Sequence, residues 1–249
     1  MSEKKKSWWF YLGIRKTLVL LQCNNAITKQ RRCPRSKGIT FIGQYYKPMV
    51  LTKNERGNDR PTEWIYSHEI KSRYKRHDGK IIMLGQGLKL MEHSWMKNPL
   101  CQLVEFLLLP GNPWHMKPIV WAGDYAEPEP ETVYNWMDED GDIRTHEDNL
   151  YDFCEDENKY KVGKQPKLLK KYRYILNHTT KQFVDKTKVP DKDGWAIHPL
   201  PLLTCEGNGN GGGDYRGDES IIGSWARHTI SVDESIPEGY TELIFDITE

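Results

Sequence analysis

Asn98-Pro-Leu-Cys-Gln-Leu-Val-Glu-Phe-Leu-Leu-Leu-Pro-Gly111 is the stretch on which the reading of the fold turns. An asparagine side chain can accept the open backbone N–H groups at a helix start, and a proline fits the first helical turn. Leu100, Leu103, Val104, Leu107 and Leu108 then recur at i, i+3, i+4 and i+7, the spacing of one buried face. Pro110-Gly111 supplies the stop. A helix over this stretch is therefore expected.

The other apolar runs are shorter and richer in β-branched and aromatic residues. Ile39–Tyr46, Lys80–Leu84, Pro118–Gly123, Trp195–Cys205, Ser224–Val232 and Gly239–Ile247 read as strands. Tyr172–Asn177 and Gln182–Asp185 flank a polar turn at His178–Lys181 and read as a β-hairpin. Leu88–Trp95 leaves strand and helix both open, because short apolar runs do not separate them. The expected class is α+β: a strand-rich mixed or antiparallel sheet with one or two packed helices and no regular βαβ alternation. A Rossmann architecture is not expected. Nor is a transmembrane one, since no apolar run approaches the ~20 residues that span a bilayer.

Of the 249 residues only 37% are apolar, yet nine Trp and thirteen Tyr supply large buried areas from few positions. Net charge is +1, unevenly spread. Residues 1–48 carry eleven Lys and Arg against Glu3 alone, whereas residues 119–158 carry fourteen acids against Arg144 alone. This divides the chain into a basic N-terminal arm, 1–48, expected to be loosely attached, and a single α+β domain, 49–249, with an acidic excursion at 124–158. Met49 is a conceivable natural start under that division. A basic arm can bind nucleic-acid phosphates, but whole-domain basicity is absent, so nucleic acid is not the favoured partner. The Lys4–Leu12 stretch imitates a signal peptide and is then broken by Arg15 and Lys16, with no convincing cleavage site. The five scattered cysteines form no Cys-x-x-Cys pair and no regular framework, which fits a reduced, cytoplasmic setting.

The most unusual segment is Gly207-Asn-Gly-Asn-Gly-Gly-Gly-Asp-Tyr-Arg-Gly-Asp218. Its spelling satisfies G-x-G-x-x-G, but prolines 199 and 201 obstruct a preceding central strand and no helix pattern follows. Glycine N–H groups at Gly209, Gly211, Gly212 and Gly213 could cradle an anion, with Arg216 adding a charged fork. Glu206, Asp214, Asp218 and Glu219 suit a cation or a sugar hydroxyl better. A ligand-binding loop and an elaborate structural turn both stay open. His198 and His228 flank the loop and, with Asp214, are the candidate acid–base set. The bland reading is that these histidines satisfy backbone groups.

Setting Gly141 at position six of a calcium loop puts Asp138, Asp140, Asp142 and Glu147 at positions three, five, seven and twelve, but Trp136 at position one cannot ligate. A solvated acidic turn fits better. No H-x-H or H-E-x-x-H occurs, so no local zinc motif and no cofactor is expected. His178-x-Thr180 matches half of the paired motif of two-histidine phosphoesterases, with no second copy. Trp64, Trp95, Trp121, Trp195 and Trp225 are most simply core.

Lys89-Leu-Met-Glu-His-Ser-Trp95, Val120-Trp-Ala-Gly-Asp-Tyr-Ala126 and the blocks from Trp195 to Tyr215 together resemble a family of proteins from gut bacteria and their phages, over roughly residues 64–249. No activity is attached to that family, so the resemblance implies a setting and not a mechanism. The resulting expectation is binding of a small polar ligand or a protein partner near the loop at 207–218. The alternatives are a hydrolase of phosphorylated or glycosyl substrates and a phage protein that sequesters a host factor. No membrane association is expected, and the sequence fixes no oligomeric state.

Overall fold

A computed structural model describes residues 45–66, 71–75, 81–85, 96–138, 140–154, 170–191, 196–207 and 217–245. The chain divides into two units, Met1–Ile42 and Gly43–Glu249, and every described residue belongs to the second.

The expected helix forms as α1, Pro99–Leu107. Asn98 caps it by accepting Leu100 N–H at 2.9 Å, and Leu100, Cys101, Val104 and Leu107 turn inward. Gly111 takes a positive φ of 83° in the chain reversal that follows, a conformation glycine adopts at no steric cost.

The central sheet is built around β5 (Lys117–Gly123). Along one edge β5 pairs antiparallel with β1 (Tyr46–Lys53), which pairs in turn with the edge strand β2 (Asp59–Trp64). The other edge of β5 is divided. Lys117 and Pro118 pair with β11 (Thr229–Asp233), whereas Trp121 and Ala122 pair in parallel with β10 (Cys205–Glu206). Beyond β11 lie β8 (Tyr174–Asn177), β9 (Gln182–Asp185) and the short β12 (Thr241–Glu242). Two hairpins stand apart from this sheet: β3 (Lys71–Lys75) with β4 (Ile81–Gly85), and β6 (Tyr134–Met137) with β7 (Ile143–His146).

Both faces of β1 and β5 are buried, which explains why neither strand alternates cleanly between apolar and polar residues. Tyr46, Val50, Ile119 and Trp121 point toward α1 and the second helix, joining Leu100, Val104, Leu200 and Leu203. Met49, Leu51, Val120 and Ala122 point the other way, against Leu150 and Cys154 of the returning acidic excursion. Lys47 shares this second face and is only 2% exposed. Its ammonium donates to the carbonyls of Cys154 (2.7 Å) and Tyr151 (3.3 Å) and lies 4.0 Å from the Tyr151 ring centre. A buried ammonium needs such acceptors.

Among the described residues the class is as expected: a strand-rich mixed sheet with two α-helices, neither long and apolar enough to cross a membrane. The hairpin of β8 and β9 also forms as expected. Three strand readings change, and one strand extends into the basic arm. Trp195–Cys205 is mainly helical: α2 spans Pro199–Thr204, leaving only Cys205 in a strand. The prolines that obstruct a central strand are compatible with a first helical turn, where their missing N–H groups have no partner to lose. The strand expected at Ser224–Val232 begins only at Thr229, because residues 222–227 form successive turns with Gly223 and Arg227 at positive φ. Of that expected at Gly239–Ile247, the described residues 239–245 hold only Thr241–Glu242. Finally, β1 takes in Tyr46–Pro48, residues assigned on charge to the basic arm; Tyr46 is 1% exposed and pairs with Gly123.

Asp124 ties β1 to the start of the excursion by accepting Tyr45 N–H at 3.1 Å. Burial pushes its carboxyl up to about 6, against the backbone N–H bond from Tyr45 and with nearby Asp152 adding to the rise. A raised folded-state pKa means that the group favours folding below its unfolded value and that this contribution is lost as pH rises toward 6. Asp124→Asn, which keeps an acceptor for Tyr45, is expected to gain about 1 kcal/mol at pH 8, the shift being discounted for partial exposure. The gain should vanish near pH 4. Urea melts at the two pH values check this.

Candidate functional site

Where β10 and β11 part company along β5, the chain must bridge the gap with residues 222–228. Gly223 N–H bonds Leu202 O, Trp225 N–H bonds Leu203 O and Arg227 N–H bonds Ile119 O. The backbone passes so close that a Cβ on Gly223, whose φ is 71°, would meet Cys205 O at 2.5 Å. Only glycine fits there. Arg227 itself has φ 65°, a conformation that costs a side-chain-bearing residue energy and persists only when its surroundings hold it.

Three carboxylates do so. Arg227 Nε donates to Glu206 Oε1 (2.6 Å), and Nη2 to Glu206 Oε2 (2.8 Å) and Glu129 Oε1 (2.5 Å). Nη1 donates to Glu129 Oε2 and Asp59 Oδ2, each at 3.2 Å. All five guanidinium N–H groups are thereby used, two of the pairs being bidentate. Burial alone disfavours the guanidinium charge, but the bonds to Glu206 and Glu129 more than reverse that and hold its pKa above the ordinary arginine value. Asp59 also pairs with Lys53 at 2.7 Å.

Beside this cluster lies a cleft of about 440 Å³. Its walls include Tyr46, Cys205, Glu206, Gly207 and Gly223 on the sheet side, and Glu127 to Pro130 on the excursion side. Pro128 and Pro130 stiffen that second wall by fixing φ. The Cys205 thiol is pushed up to about 12, chiefly by burial, and the Tyr46 phenol is raised by burial too. Neither ionises near neutrality. With every Arg227 donor occupied, the charged groups left to meet a ligand are carboxylates. Among the described residues no three His, Cys, Asp or Glu side chains are placed to hold a metal ion.

The residues singled out from sequence distribute as follows. Gly209, Gly211, Gly212, Gly213, Asp214 and Arg216 lie outside the described residues, as do Trp95 and Trp195. Gly207, where the glycine-rich segment begins, is in the cleft wall. His198 is fully buried: its Nδ1 accepts Leu200 N–H and caps α2, so the ring proton sits on Nε2, facing Glu105 Oε1 at 3.2 Å without hydrogen-bond alignment. His228 is part-exposed and pairs with Asn177 Nδ2 at 2.9 Å. Neither histidine lines the cleft. His178 contacts Tyr240 Oη (2.6 Å) and Ser231 Oγ (2.7 Å), cross-linking the β8–β9 turn to the C-terminal segment.

Asp138, Asp140 and Asp142 sit in the tight turn of the β6–β7 hairpin. Asp138 accepts the N–H groups of Asp140 and Asp142 and the Arg144 guanidinium, a use of its oxygens that closes the turn. Glu147 follows the hairpin. Asp59, Glu129 and Arg227 carry no local motif; the nearest signal was the proline-bracketed Pro128-Glu-Pro130.

Comparisons with protein-family models, with curated proteins and with solved structures found no significant match.

Proposed function

We propose that the protein binds a small polar ligand rich in hydrogen-bond donors, a polyol, sugar or amine, in the cleft that opens at Gly207. The observation that carries this reading is the saturation of Arg227. A cleft with a free arginine would favour phosphate or carboxylate, whereas this one offers the exposed Glu127 and the remaining lone pairs of Glu206, whose carboxylate and that of buried Glu129 already hold the only lining cation. Ionised carboxylates accept and do not donate. A volume of about 440 Å³ falls within the range of small-molecule sites.

The test is a thermal-shift and calorimetric series on the full chain with monosaccharides, sugar alcohols and polyamines on one side and inorganic phosphate on the other. The expected result is stabilisation by the first group, reduced about tenfold in affinity by Glu206→Gln, a loss in the range of one charge-assisted hydrogen bond. Stabilisation by phosphate alone, or none by any of these, would overturn the reading.

A further inference from the structure

The β6–β7 hairpin presents an apolar face that nothing else among the described residues covers. Register places Met137 directly opposite Ile143 and Asn135 opposite Thr145, and the Thr145 hydroxyl donates to Asn135 Oδ1 across the same face. Val133, one step ahead of β6, has the same parity. Val133, Met137 and Ile143 are 55%, 69% and 72% exposed. Single exposed apolar side chains are ordinary; a directly opposed Met137 and Ile143, with Val133 beyond the Asn135–Thr145 pair on the same face of a hairpin outside the main sheet, are not. A lone two-stranded hairpin is marginal in water, so a partner that covers this face adds stability.

Charge selects among occupants. The rim carries Asp138, Asp140, Asp142 and Glu147, with Arg144 held by Asp138 and Asp142, while Glu131 beyond it is already paired with Arg56 at 2.8 Å. A second copy would bring the same acidic rim against this one, and an anionic phosphate backbone or lipid surface would be repelled in the same way. A cationic rim around an apolar centre matches.

We infer that the Val133, Met137 and Ile143 face is a docking surface for a basic protein segment with alternating apolar side chains, bound as an added strand or laid flat on the hairpin. Alternation fits because successive strand side chains point to opposite faces, so one set meets the apolar row while the other stays in solvent. This surface is independent of the cleft.

The test uses the full chain and two 12-residue synthetic peptides, one alternating lysine with valine and one alternating lysine with serine. The lysine–valine peptide should bind at least about tenfold more tightly, and Met137→Ser with Ile143→Ser together should remove about that factor while leaving the melting temperature unchanged. Asp140→Asn with Asp142→Asn should flatten the salt dependence of binding. Equal binding of both peptides, or full binding to the serine variant, overturns the proposal. So does self-association of the wild-type chain that the serine variant abolishes, which would make the occupant a second copy.

Discussion

Replacing Glu105 by Gln should cost the fold about 3–5 kcal/mol at pH 7, the range for removing one partner of a buried ion pair. Glu105 is 2% exposed on the inner side of α1, and its Oε1 lies 2.5 Å from Lys186 Nζ and 3.2 Å from His198 Nε2. Lys186 reaches it from the turn after β9 and His198 from the cap of α2, so one carboxylate joins three elements. The neutral amide would leave the Lys186 ammonium, only 10% exposed, without its counter-charge. Burial tends to raise the Glu105 carboxyl, but His198 and Lys186 together carry it below the usual carboxylate range. A lowered carboxylate pKa stabilises the fold above the unfolded value, and that contribution disappears as pH falls through the folded one. Urea midpoints should therefore differ strongly between wild type and Glu105→Gln at pH 7 and converge in acid. Glu105→Leu with Lys186→Met should recover most of the loss, because removing both charges leaves none stranded. A double variant as unstable as the single one would show that the cluster acts through packing instead.

Arg227→Met should lower stability by about 2–4 kcal/mol at pH 8, somewhat less than a fully buried pair because about a third of the guanidinium side chain faces solvent. Methionine keeps the stem and removes the charge, leaving Glu129, Glu206 and Asp59 to repel one another with Lys53 on Asp59 alone. Like charges held together raise carboxylate pKa values, so protonation should relieve the strain. The deficit measured by thermal melting should shrink from pH 8 to pH 5, in the same direction as that of Glu105→Gln. A deficit independent of pH would mean that the positive φ at position 227, and not charge, dominates.

Much of the fold was readable because its signals are local. Asn98-Pro99 and the leucines after it specify α1 within a dozen residues, and the two runs around His178–Lys181 specify a hairpin. Pro199–Thr204 was misread because an apolar run of that length suits either a buried strand or a buried helix; the cap that decides it comes from His198, a residue type not usually read as a cap. Charge hides the role of Lys47, which looks like part of a basic arm but lies in β1, held by two carbonyls and a tyrosine ring. The cleft was legible only at Gly207. Its organising arginine meets carboxylates 168, 98 and 21 positions away, and no spacing rule links them. Asp138–Asp142 reads from sequence as a solvated acidic turn, but its exposed apolar neighbours had no meaning until pairing put Met137 beside Ile143.

The divided edge of β5 has an evolutionary corollary. Glu206 is held by Ala122 and His228 by Ile119, so the chain between them leaves and rejoins the same strand. Both ends of that span are therefore anchored on one strand, and Glu206, Gly223 and Arg227, which fix the anchors, are the positions least free to vary. The fork couples the geometry of the cleft wall to the register of the central strand.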